Sequence, residues 1–313
     1  MIGCQEPSFP MFDLQRPRLA QFQTDIARAI PCVPEEARAN LTKMVLPDSL
    51  RVFMNWRDQF VPMRLRQVQM SERFLRDPRT IQYWPAVEDL KSRIEAGEDL
   101  RPFFSNYIAQ YGYVPPKTRK ARKRRGINWE EKDHALNSYD AHHLHLSPTR
   151  QTEELLFVSF TRQSASFIMV GDHKSWKDGT LAIAVAEERA ASGLELKGIF
   201  ASPSEEFTVE QRTQLQWRGM STEISVGDKI VPSAFVCGDG TGLAQSRHVD
   251  HMIMTLAKVD PSLDDDAYVR PLFESVGRPC PPDPEFFWLM RDCDLCVAEK
   301  SSRTAFSLLP WRR

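Results

Sequence analysis

The segment YDAHHLHLS, residues 139–147, contains three of the chain's seven histidines, His142, His143 and His145. A fourth, His173, follows in FIMVGDHKSW. The unperturbed pKa of histidine, about 6.5, lets its side chain accept and donate protons near neutral pH, and the neutral imidazole is a common metal ligand. Four such side chains in so short a stretch predict a site of acid–base or metal chemistry.

The first hypothesis is acid–base chemistry on RNA. If HHLHL forms a strand, His143 and His145 share one face and His142 joins the leucines on the other. A meander can bring the end of a later strand close to this pair. Cleavage of RNA by its own 2′-hydroxyl needs a base, an acid and positive charge for the phosphorane oxygens. We therefore predict a metal-independent endoribonuclease with His143 or His145 as base, His173 as acid, and Lys174 and Arg162 as phosphate ligands.

A zinc-dependent hydrolase is the main chemical alternative. His143, His145, Asp172 and His173 are all acceptable zinc ligands, and an H-x-H pair on one strand can present two imidazoles to one ion. The sequence contains no H-E-x-x-H motif and no carboxylate whose spacing identifies it as a general base. The first hypothesis therefore predicts no cofactor, and the alternative predicts zinc.

Two further alternatives stay open. HLS at His145 and HKS at His173 match the H-x-[ST] element that occurs twice in 2H phosphoesterases, although a separation of 28 residues is short for the two halves of such a protein. Histidines are also common as hydrogen-bonded residues of a protein core. In that case the protein is a non-catalytic nucleic-acid-binding or regulatory protein.

A basic run precedes the histidines, in PPKTRKARKRRGINW. Such a run can neutralise several phosphates without reading sequence, and a nearby tryptophan can stack on an exposed base. We predict that it binds RNA or another nucleic acid. The predicted contacts are Lys117, Arg119, Lys120, Arg122, Lys123, Arg124, Arg125 and Trp129.

Periodicity along the chain predicts an α+β fold in three regions. Residues 1–116 carry helix signals, such as Gly97 at the end of PAVEDLKSRIEAG, and form a mostly helical domain. Residues 117–200 contain the basic arm and an antiparallel β-meander, HHLHL, ELLFVSF and ASFIMVG, followed by a helix. Residues 201–313 form a mixed α/β region.

Composition excludes several classes of protein. With 42% hydrophobic and 27% charged residues the chain is that of an ordinary globular protein rather than a disordered one. No segment has the apolar length of a signal sequence or membrane span, so we predict a cytoplasmic protein with no membrane contact. Six scattered cysteines favour reduced thiols, and Cys280, Cys293 and Cys296 have the spacing of only half a zinc site.

The strand order around the histidines resembles that of RelE/ParE/HigB-type toxins. The resemblance covers residues 139–177, through HHLHL, ELLFVSF and ASFIMVGDHKSW. It implies metal-independent RNA cleavage with His173 and Lys174 at a strand end and Arg162 as a phosphate ligand. It also implies a protein inhibitor or regulator as a partner.

Overall fold

The computed structural model describes residues 16–115, 132–149, 152–198 and 207–312. The fold is α+β, as predicted. The helices are α1 (Pro17–Ala29), α2 (Arg38–Leu41), α3 (Leu46–Arg57), α4 (Glu72–Arg76), α5 (Pro78–Gln82), α6 (Trp84–Ala96), α7 (Tyr107–Gln110), α8 (His134–Tyr139), α9 (Thr180–Ala191), α10 (Val209–Trp217), α11 (Leu243–Ser262) and α12 (Asp266–Ser275). The strands are β1 (Gln67–Met70), β2 (His142–His145), β3 (Glu154–Phe160), β4 (Ser164–Asp172), β5 (Thr222–Val226), β6 (Lys229–Ala234), β7 (Phe286–Arg291), β8 (Asp294–Glu299) and β9 (Thr304–Leu309).

A four-stranded sheet carries the histidine segment. Its order is β1–β4–β3–β2, and β2, β3 and β4 form the predicted antiparallel meander. The fourth strand, β1, pairs parallel to β4, with Gln67 opposite Ser164. This strand lies in the region that the sequence predicts as helical, because QVQM is a short and half-polar edge strand with little apolar pattern.

Apolar side chains cover this sheet on both faces. On one face, Leu144, Leu156 and Val158 pack against residues of the helical region such as Leu90 and Ile94. On the other face, Leu155, Phe157, Ile168 and Met169 pack against α8, α9 and the β5–β6 hairpin. Burial on both faces explains why β3 and β4 are nearly continuous apolar runs rather than alternating ones.

Another hydrophobic cluster joins the two ends of the described chain. Leu19 and Phe22 of α1 and Leu50 of α3 are buried together with Val249 of α11 and Trp288 of β7. The strands β7, β8 and β9 form an antiparallel sheet in the C-terminal region. The three-domain division stays a prediction, but this core draws on both the first and the third predicted regions.

Glycine 97 ends α6 as the sequence predicts. Its φ is +69°, and its N–H donates to the Ile94 carbonyl at 3.1 Å. A Cβ at this position would lie 2.8 Å from the backbone carbon of Arg64. Glycine is therefore required both for the turn and for the close approach of the loop before β1.

Within the described ranges, no helix combines the length and the apolar character needed to cross a bilayer.

Asp58, directly after α3, is a buried meeting point of four chain segments. Its carboxylate accepts hydrogen bonds from Gln245 Nε2 of α11 at 2.8 Å and from Trp311 Nε1 at 2.7 Å. Its backbone carbonyl accepts from His142 Nε2 of β2 at 2.9 Å. The donors satisfy both carboxylate oxygens, which is what a buried carboxylate requires.

Replacing Asp58 with asparagine tests this meeting point. The new amide NH2 faces either the Gln245 or the Trp311 donor, so that one buried hydrogen bond becomes a contact between two donors. We expect Asp58→Asn to lower the free energy of unfolding by about 2–4 kcal/mol. Urea unfolding followed by tryptophan fluorescence measures this. Asp250→Asn, at an exposed position, is the matched control, and an equal effect of both substitutions would contradict the proposed importance of Asp58.

Candidate active site

The residues of β2 alternate between the two faces of the sheet, as predicted. His142 is 3% exposed, and its ring packs edge-on against Phe160 at 5.2 Å, on the face that holds Leu144. Because a carbonyl oxygen only accepts, the contact with Asp58 requires a proton on His142 Nε2. Burial lowers the pKa of His142, so the ring is neutral at physiological pH. His142 is therefore a structural histidine.

His143 lies on the opposite face beside a carboxylate. Its Nδ1 is 3.3 Å from Asp133 Oδ2, and both side chains are largely buried. Asp133 is the N-cap residue of α8, where its Oδ1 accepts the Leu136 N–H at 3.0 Å. The cap fixes the carboxylate and leaves its second oxygen next to the imidazole. The two atoms lie within ion-pair distance, but His143 Nδ1 makes no hydrogen bond within the described residues.

The structure brings His145 and His173 together. Their ring centroids are 5.8 Å apart, and Trp176 lies 5.5 Å from His173 and 5.5 Å from His143. His145 Nδ1 contacts the Thr152 carbonyl at 3.3 Å, which requires a proton on Nδ1 and leaves the lone pair of the neutral ring on Nε2. His173 is exposed. The pair thus combines a buried, oriented imidazole with one that is open to solvent.

Gly171 allows the turn that carries His173 to approach His145. It pairs with Leu155, which pairs in turn with His145, so it lies two strands across the sheet from that histidine. A Cβ on Gly171 would lie 2.6 Å from Ser175 Oγ and 3.1 Å from the Phe157 ring. Ser175 belongs to the turn that presents His173. The absence of a side chain at Gly171 lets this turn fold back over the sheet.

Lys174 directly follows His173 in the turn after β4. It is exposed, and its backbone N–H donates to Asp172 Oδ1 at 2.8 Å. Asp172 also lies 3.4 Å from Arg79 of α5. Burial raises the pKa of Asp172, but the Lys174 N–H and the positive charges of Arg79 and Lys174 outweigh it and hold the pKa below its usual value. Asp172 is an anion that organises the turn.

Arg162 is not part of the cluster, and this prediction is wrong. It lies in the turn between β3 and β4, whereas His173 follows the other end of the nine-residue strand β4. At about 3.3 Å per residue the two positions are separated by about 30 Å. Arg162 instead pairs with Asp294, at 2.9 Å and 3.0 Å, and with the Trp311 carbonyl at 3.0 Å.

The comparisons with known proteins do not identify this site. No protein-family model, no curated protein and no solved structure matches the chain.

The predicted zinc ligands do not form a metal-binding group in the described part of the chain. No three His, Cys, Asp or Glu side chains are placed there to hold one ion. Asp172 is held by Lys174 and Arg79, and His143 by Asp133. Cys293 and Cys296 are buried free thiols, and burial raises the pKa of each. The predicted basic contacts at 117–125 and Trp129 lie outside the described residues.

Two further residues near the cluster, His134 and Lys177, were not predicted from the sequence. His134 of α8 stacks on Trp217 with ring centroids 4.8 Å apart, next to Asp133. The positive charge of Lys177 acts on His134 from nearby. Lys177 also lines an open cleft of about 470 Å³ together with Asp178, Val209, Glu210, Thr213 and Gln214. The signal available in the sequence was Asp133 as a helix cap, which would have placed a carboxylate near the histidine strand.

The buried His134 predicts acid-sensitive stability. Burial lowers its pKa to about 4. As pH falls below about 6.5, the His134 imidazole is therefore protonated in the unfolded chain before it is protonated in the folded protein. The contribution of neutral His134 to the free energy of unfolding is complete above about pH 6.5, the pKa of histidine in the unfolded chain, and is lost progressively towards pH 4. We expect His134→Phe to reduce the loss in free energy of unfolding between pH 7 and pH 5 by about 2 kcal/mol.

Urea unfolding of both proteins at the two pH values measures this difference. His251→Ala, at an exposed position of α11, is the control and should leave the pH dependence of the wild type unchanged. A His134→Phe protein with the full acid sensitivity of the wild type would show that another group is responsible.

Proposed function

We propose that the cluster of His143, His145 and His173 is an acid–base site that cleaves RNA phosphodiesters without a metal ion. The proposal rests on the relative positions of His145 and His173. His145 donates its Nδ1 proton to the Thr152 carbonyl, which turns its Nε2 into a proton acceptor, and the exposed ring of His173 lies 5.8 Å away. An oriented base next to a solvent-exposed acid is the arrangement that this reaction needs.

The reaction assigns a separate role to each of the two rings. His145 Nε2 takes the proton of the 2′-hydroxyl as O2′ forms a bond to phosphorus. The bond from phosphorus to O5′ breaks, and protonated His173 gives its proton to O5′. The products are a 2′,3′-cyclic phosphate and a free 5′-hydroxyl. Proton exchange with solvent then removes the proton from His145 and returns one to His173, whose ring is exposed.

Positive charge at the rim supports the same chemistry. Lys174 and Lys177 are exposed on the turn that carries His173, and Lys177 lines the adjoining cleft. They replace Arg162 as the candidates that stabilise charge on the phosphorane oxygens. His143 flanks the pair on the same strand face, with the Asp133 carboxylate 3.3 Å from its Nδ1. Trp176 offers an aromatic surface for a base.

The proposal includes the partners and location that such an enzyme requires. The basic run at 117–125 would hold RNA by its phosphates, which makes binding sensitive to salt. RNA of the cytoplasm is the proposed substrate. The resemblance to RelE/ParE/HigB-type toxins adds a protein inhibitor or regulator, which would limit cleavage in the cell.

Alanine substitutions of the two histidines test the mechanism. In excess EDTA we expect wild type to cleave a mixed single-stranded RNA and to leave 2′,3′-cyclic phosphates. His173→Ala and His145→Ala should each lower kcat by about 100-fold or more, with RNA affinity changed less than about threefold. Product ends are resolved on sequencing gels, and affinity is measured by fluorescence anisotropy.

His251→Ala is the matched control, because this histidine is exposed on α11 and outside the cluster. It should retain full activity. Binding of RNA without any cleavage by wild type would contradict the enzyme proposal and favour a non-catalytic nucleic-acid-binding protein. Activity that appears only when zinc is added would favour the hydrolase alternative.

A further inference from the structure

An arginine cluster lies at the other end of the central sheet from the histidines. It consists of Arg64 and Arg66, in the loop before β1, and Arg162, in the turn between β3 and β4. Arg66 connects the two segments, since its Nε donates to the Thr161 carbonyl at 2.8 Å and its Nη1 to the Pro62 carbonyl at 2.9 Å. The guanidinium also lies over the Phe160 ring. These contacts hold the Arg66 side chain in one position at the inner side of the cluster.

Arg66 has an unused donor in the protein interior. The residue is only 4% exposed, and its Nη2 has no hydrogen-bond partner among the described residues and no contact with solvent. Buried arginines are normally paired with a carboxylate, because an isolated buried charge is costly. None of the ion pairs among the described residues involves Arg66. The side chain thus carries a buried positive charge and a donor that the fold does not satisfy.

The nearby carboxylate is already engaged. Asp294 accepts two contacts from Arg162 Nη1 and a short hydrogen bond of 2.6 Å from the Trp311 N–H. It also lies 3.7 Å from Arg64 Nη2. Burial, with the charges of Arg64 and Arg162 acting in the same direction, lowers the pKa of Arg66 to about 10, so its guanidinium remains protonated at neutral pH.

We propose that the arginine cluster is an anion site that binds a phosphate group. Guanidinium groups match phosphate oxygens through paired N–H donors, and a phosphate supplies several strong acceptors for donors that come from two loops. Arg66 Nη2 is the inner donor, and because it has no contact with solvent, binding requires the side chains around it to move aside. Arg64 and Arg162, with 23% and 39% of their side chains exposed, pair with Asp294 and place two further positive charges near Arg66.

This site is independent of the proposed ribonuclease. It lies about one length of β4 from His173, roughly 30 Å, and contains none of the histidines. The phosphate can come from two sources. It can be free inorganic phosphate, or a phosphate of an RNA that extends along the surface from the histidine site. Both sources present the same chemistry to Arg66.

Isothermal titration of the full chain with inorganic phosphate, at constant ionic strength in sodium chloride, tests the site. We expect saturable binding, and no saturable binding of acetate at the same concentrations. Arg66→Lys retains the charge but lacks the second Nη, and Arg162→Gln changes a half-exposed residue that folding tolerates more easily. Each should weaken phosphate binding at least tenfold. Arg270→Gln, at an exposed position of α12, is the control and should bind like wild type.

A second titration identifies the source of the phosphate. A 12-nucleotide RNA is added to His173→Ala protein, with and without Arg66→Lys. Weaker RNA binding in the double variant assigns the site to an RNA phosphate, whereas unchanged RNA binding together with saturable inorganic phosphate assigns it to free phosphate. The proposal is overturned if wild type binds inorganic phosphate no better than acetate, or if Arg66→Lys and Arg162→Gln both bind it with wild-type affinity. These readouts measure binding alone, so they do not depend on RNA cleavage.

Discussion

The hydrogen bonds to Asp58 are the constraint on which the position of the histidine strand depends. The carboxylate binds Gln245 of α11 and Trp311 near the end of the described chain, 253 positions away from it in sequence. The carbonyl of the same residue binds His142 of β2. One buried residue thereby ties the strand that carries the candidate site to α3, to α11 and to the C-terminal segment. Satisfied groups of this kind fix one arrangement of a core, because every alternative leaves a buried polar group unpaired.

Alternation along β2 divides the histidines into two kinds. His142 enters the core against Phe160, where burial holds it neutral, while His143 and His145 face the other side of the sheet. The cluster that stands out in the sequence is therefore partly structural. The part that we propose to be catalytic includes His173, which reaches His145 from a turn two strands away. The bare backbone at Gly171 leaves the space for that approach.

Sequence reasoning predicted the meander and the shared face of His143 and His145, because both follow from local periodicity. It also predicted that His173 approaches the pair. It placed Arg162 wrongly, although a residue in a β-turn is necessarily one strand length from the far end of that strand. β1 and the sheet of β7, β8 and β9 were missed, since β1 is four residues long and pairs with a strand almost a hundred positions later. His134 was missed because its stacking on Trp217 depends on tertiary packing, and Lys177, on the turn that carries His173, was not considered.

The central claim is that the 2′-hydroxyl of RNA is the nucleophile and that histidines alone move the protons. The most direct measurement compares a chimeric oligonucleotide with a single ribonucleotide and its all-deoxy counterpart, in excess EDTA, with gel analysis of the products. We expect one cut, directly 3′ of the ribonucleotide, which leaves a 2′,3′-cyclic phosphate, and no cut in the all-deoxy strand. Equal cleavage of both strands, or cleavage that requires a divalent metal, would contradict it.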